Sequence, residues 1–103
     1  MDYSKLSDHE INVKVGSVIG FTAKLMAVNK QTDYCNNPAD AWPIIVERKI
    51  NIEWHEWKNG EWMPYALNSA TTKSCYGTNP LRSAMIVFLM MQESANVQDN
   101  PSR

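Results

Sequence analysis

The chain has 103 residues, the size of one domain, and its 44% hydrophobic and 20% charged content excludes disorder over most of its length. Ten Lys and Arg against eleven Asp and Glu leave a formal net charge of −1, which excludes a strongly basic nucleic-acid module and a strongly acidic mimic of one. Two cysteines are too few for a disulfide-dense secreted scaffold, so both thiols are expected reduced in a cytoplasmic setting.

Ser7 is placed to cap a helix, and Glu10, three residues on, can complete a capping box. Asp8 and Glu10 also suit the positive end of the helix dipole. A helix over about Asp8 to Gly16 follows, with Gly16 as its stop. Residues 17–36 are ambiguous. Phe21 to Val28 alternates as a strand would, and Asn29 to Asp33 reads as a turn.

Asn37-Pro38-Ala39-Asp40 opens a second helix: Asn37 caps, Pro38 occupies a position that needs no N–H, and Asp40 favours the dipole. It should run from about Pro38 to Arg48, shortened or kinked at Pro43. Asn79-Pro80-Leu81-Arg82 opens a third by the same logic, from about Pro80 to Ser94. Its apolar residues cover nearly the whole circumference, so it should be the most buried element, with Met85, Met90 and Met91 filling the core. The longest apolar run, Ala84 to Met91, falls short of the ~20 residues of a membrane-spanning helix, and no membrane partner is expected.

Trp57-Lys58-Asn59-Gly60-Glu61-Trp62 is the clearest local signal. Asn-Gly between strand-like runs marks a two-residue type I′ hairpin turn. Counting outward, Lys58 pairs with Glu61, Trp57 with Trp62, Glu56 with Met63 and Trp54 with Tyr65. One face then carries Ile50, Ile52, Trp54, Met63, Tyr65 and Leu67, the expected core face. The other carries Asn51, Glu53, His55, Trp57, Trp62, Pro64 and Ala66. Pro64 points to an edge strand. The Trp57–Trp62 pair either stabilises the hairpin or packs under a helix, or it forms an exposed aromatic platform, with His55 beside it, for a protein or a nucleobase.

Cys35, Cys75, His9 and His55 show no metal-ligand spacing. Glu53 and Glu56 fall on opposite sides of a strand, so they do not make a carboxylate pair. Lys5, Lys14, Lys24, Lys30, Lys73 and Arg82 are scattered. No catalytic residue, no metal and no cofactor are expected.

Three blocks carry a resemblance. They are the start MDYSKLSDHEIN, the stretch from Asp33-Tyr34-Cys35-Asn36-Asn37-Pro38-Ala39-Asp40 to Ile45, and the stretch from Asn79-Pro80-Leu81-Arg82 to Met91. In these the chain resembles the NinX-like proteins of lambdoid bacteriophages. Its layout also resembles a broader group of small phage domains described as α-β-α sandwiches. The resemblance implies an accessory phage protein made in the host cytoplasm. It supplies no catalytic motif.

The reading is an α+β domain over 1–94: about three helices packed on a small antiparallel sheet built around the Asn59-Gly60 hairpin. A three-layer α-β-α sandwich is the alternative. Residues 95–103 form a polar, mobile tail. The expected function is a non-enzymatic protein-binding module acting on a host or phage protein. The alternative is a weak single-stranded nucleic-acid binder using Trp57 and Trp62.

Overall fold

The structure is a computed structural model and describes residues 1–98. After a single 3₁₀ turn at Tyr3–Lys5, Ser7 caps the first helix, α1 (Asp8–Ile19). The Ser7 hydroxyl accepts the Glu10 N–H at 3.1 Å, and Glu10 Oε1 accepts the Ser7 N–H at 2.8 Å, so the capping box is complete. The helix does not stop at Gly16. It runs to Ile19 and breaks at Gly20, where α2 (Phe21–Val28) begins.

Gly16 has a different job. A Cβ there would lie 2.8 Å from the Ala23 carbonyl oxygen and 3.0 Å from the Lys24 Cα. Glycine thus lets the backbones of α1 and α2 approach closely. The segment Phe21–Val28, which the sequence leaves open between strand and helix, is a helix. Ala23, Lys24, Leu25, Met26 and Ala27 are all good helix formers, and Ala27 is fully buried. Alternation alone could not separate the two states over eight residues.

The third helix, α3 (Pro38–Glu47), opens as expected, with Asn37 Oδ1 accepting the Ala39 N–H at 3.0 Å. Pro43 sits inside it. The last, α4 (Pro80–Gln98), extends past the expected Ser94. The rest of the expected tail, 99–103, lies outside the described residues. Ala84, Met85 and Val87 of α4 are fully buried, and Phe88 is nearly so.

Three strands form one antiparallel sheet in the order β1 (Asn51–Glu56), β2 (Trp62–Asn68), β3 (Lys73–Tyr76). Helix α4 packs against all three, and α1 and α3 pack against α4. The fold is thus α+β, with α4 between the sheet and the other helices. Four helices are present among the described residues rather than three, and α4 is the one that mainly covers the sheet.

The hairpin register is one residue away from the expected one. Glu56 pairs with Trp62, His55 with Met63, Trp54 with Pro64 and Ile52 with Ala66. The loop has three residues, Lys58-Asn59-Gly60, closed by the Trp57 N–H on the Glu61 carbonyl at 2.7 Å and the Gly60 N–H on the Trp57 carbonyl at 2.9 Å. A type I′ turn needs positive φ at both central residues. Here Gly60 alone adopts it, at 85°, while Asn59 does not. The Asn59 side chain instead accepts the Glu61 N–H at 3.0 Å and donates to Glu61 Oε1 at 2.8 Å, which holds the longer loop.

A one-residue slip exchanges the two faces of a strand. The core face of β2 is therefore Pro64, Ala66 and Asn68, all buried, while Met63, Tyr65 and Leu67 face the other way. Nor does Pro64 mark an edge, for β2 is the central strand. Its carbonyl accepts the Gly77 N–H at 3.4 Å, so its missing N–H also points toward the β3 side, just past Tyr76, where the pairing ends.

Candidate functional site

The register decides what the sheet presents to solvent. Helix α4 covers the face of Ile52, Ala66 and Cys75, and the opposite face carries Glu53, His55, Met63, Tyr65, Ser74 and Tyr76, with Trp57 at its end. Four rings from the three strands and the hairpin meet there. Tyr65 and Tyr76 are stacked at a tilt with centroids 4.3 Å apart, and His55 lies 4.9 Å from Tyr65. Trp57 stands edge-on to Tyr76 at 5.4 Å. The rings are within the range of direct aromatic attraction.

Polar contacts fix the imidazole. His55 Nε2 lies 3.0 Å from Glu53 Oε1, and Nδ1 lies 2.6 Å from the Tyr76 hydroxyl. A carboxylate only accepts, so in the neutral ring Nε2–H donates to Glu53 and Nδ1 accepts from Tyr76. The cluster remains open: Trp57 is 48% and Tyr76 44% exposed. Beside it, Trp57, Lys58, Asn59, Glu61 and Met63 line a shallow hollow of about 550 Å³.

Of the three residues singled out in the sequence, His55 and Trp57 come together and Trp62 does not join them. Trp62 is exposed, but it pairs with Glu56 and shares the α4 side of the sheet with Trp54. The expected Trp57–Trp62 patch is thus replaced by one of His55, Trp57, Tyr65 and Tyr76. Tyr65 had been assigned to the core face through the shifted register. Tyr76 belongs to β3, a four-residue strand whose only forewarning is the turn-forming composition of Asn68 to Thr72.

The blocks that carry the family resemblance lie elsewhere and interlock. Asn79 Nδ2 donates to the Cys35 carbonyl at 2.8 Å and to Asn36 Oδ1 at 3.0 Å, while its Oδ1 accepts the Leu81 and Arg82 N–H groups at the start of α4. Arg82 donates to Asp8 Oδ1 at 2.7 Å and to the Leu6 carbonyl at 2.6 Å. Asn12, buried, donates to Asp33 at 2.9 Å and accepts the Cys35 N–H at 3.0 Å. This buckle ties the N-termini of α1, α3 and α4 together, and its polar groups are spent on one another.

The remaining reactive groups are quiet. Burial, and next the Asp8 charge, push the Cys35 thiol up to about 12, and burial raises Cys75 as well. Thiols so shifted stay protonated and are poor nucleophiles. Among the described residues, no three His, Cys, Asp or Glu side chains gather as a metal site. No described helix is long and apolar enough to cross a membrane.

Comparison with known proteins places the chain. No curated protein and no solved structure matches it. Residues 2–92 match the family described as "Bacteriophage P22, NinX", which takes in all three resembling blocks and the sheet between them. The chain belongs to the NinX family of bacteriophage proteins.

Proposed function

We propose that this is a non-enzymatic phage accessory protein of the host cytoplasm, which binds a host or phage protein through the open face of its sheet. The observation that carries this reading is the cluster of His55, Trp57, Tyr65 and Tyr76 on a face that no described helix covers. Trp and Tyr dominate the energetics of protein interfaces, because they bury much area at little cost in rotamer entropy. Ring packing and the Glu53–His55–Tyr76 hydrogen bonds hold this surface in shape before binding, which lowers the ordering cost.

Single-stranded nucleic acid, stacked on the same rings, is the rival. The charges disfavour it: Glu53 and Glu61 lie on the open side with Trp57, and they would repel phosphates. The test is affinity capture from infected host cells, with and without nuclease, over a series of salt concentrations. Capture of a protein that survives nuclease and depends weakly on salt supports the proposal. Recovery of nucleic acid with a steep salt dependence overturns it.

A further inference from the structure

The corner between α1 and α2 exposes a run of apolar side chains. Ile19 ends α1 and is 50% exposed, and Phe21 begins α2 and is 75% exposed. Leu25 and Val28 follow, each 44% exposed. Residues 21, 25 and 28 fall on one helical stripe, away from Ala23, whose backbone meets α1 at Gly16, and from the fully buried Ala27. The stripe therefore lies on the solvent side of α2.

Charge selects what it meets. The chain as a whole is slightly acidic, yet residues 11–32 hold Lys14, Lys24 and Lys30 and not one Asp or Glu. None of these lysines is in an ion pair among the described residues. Lys24 lies on α2 beside the stripe, whereas Lys30, past its end, lines a hollow together with Asp8 and Asp33. A second copy of this chain would bring lysines toward lysines. The stripe is also short: eight residues make a helix of about 12 Å. That cannot supply the ~800 Å² per partner of a standard protein interface. On a bilayer a few inserted apolar side chains and a cation resting at the headgroups add up to weak, reversible binding.

We propose that the α1–α2 corner docks on an anionic lipid surface, with Phe21, Leu25 and Val28 inserted and Lys24 at the headgroup level. A helix lying in the interface does not need the span whose absence argued against a membrane partner.

The test is co-sedimentation of the full chain with vesicles of equal parts phosphatidylglycerol and phosphatidylcholine, against pure phosphatidylcholine vesicles. The anionic vesicles should bind and the neutral ones should not. Phe21→Ser should weaken binding by at least about tenfold, and Lys24→Gln by about fivefold. Both side chains are exposed, so unchanged melting curves will show that the fold is kept. No binding to anionic vesicles, or binding indifferent to Phe21→Ser, overturns the proposal. So does concentration-dependent self-association that Phe21→Ser abolishes without any vesicle binding, which would assign the stripe to a second copy.

Discussion

His55 of β1 and Tyr76 of β3 are joined by a 2.6 Å hydrogen bond although their strands are not neighbours. The ring of Tyr65, on the strand between them, lies close to both. One contact thus spans the width of the sheet on its open side. It exists only because the hairpin register places residues 53, 55, 63, 65 and 76 on one face.

The burial of α4 sets the first expectation. Phe88 is 2% exposed, lies in the core, and has the Arg48 guanidinium 5.2 Å from its ring centroid. Phe88→Ala should cost about 3–5 kcal/mol through lost burial and a residual cavity. Urea unfolding followed by circular dichroism would measure it. A loss below ~1 kcal/mol would contradict the central place of α4.

Gly16→Ala tests the α1–α2 contact. Propensity alone favours alanine in a helix interior by about 1 kcal/mol. The new methyl would meet the backbone of Ala23 at 2.8 Å, and backbone cannot swing aside as a side chain can. The contact should win, with a net loss of about 1–3 kcal/mol. A stabilised variant would show that the two helices are not so closely packed.

The buckle should show itself in acid. The Asn36 hydrogen bond, and after it the Arg82 guanidinium, hold the Asp8 carboxyl below its ordinary value of 3.8. A carboxyl depressed in the folded state adds stability above its unfolded value, and that stability is lost as pH falls through the folded one. Wild type should therefore exceed Asp8→Asn in stability at neutral pH, and the gap should narrow as pH falls below about 4. Urea midpoints across this range would report it. A gap that is constant with pH would mean that the Asp8 charge contributes nothing.

Much of this fold was legible from end signals. Ser7, Asn37 and Asn79 declare three helix starts, because capping chemistry is local and nearly independent of what packs later. The buried stretch Ala84 to Leu89 declared the core helix. What the sequence hid depended on tertiary or single-residue choices. Phe21–Val28 carries both periodicities, and the approach of α1 at Gly16 goes with its helical state. Asn59-Gly60 fits two loop lengths, and the Asn59 side-chain bonds to Glu61 go with the longer one. That single residue of register sent Trp62 to one side and Tyr65 to the other. Strand alternation alone puts His55 and Trp57 on one face, while the placement of Tyr65 and Tyr76 beside them needs the register and the third strand.

Protein binding by the open face is measured most directly by comparing the two sides of the sheet in one capture experiment from infected host cells. Trp57→Thr with Tyr76→Thr strips the open face, and Trp54→Thr with Trp62→Thr strips exposed indoles from the α4 side while keeping strand propensity. The first pair gives up the Tyr65–Tyr76 and Trp57–Tyr76 ring contacts and the His55 hydrogen bond, so it should melt below wild type but still cooperatively, and the second pair close to wild type. The first pair should lose the captured protein by at least about tenfold, as removal of aromatic anchors does, and the second should retain it. Capture kept by the first pair and lost by the second would contradict binding by the open face.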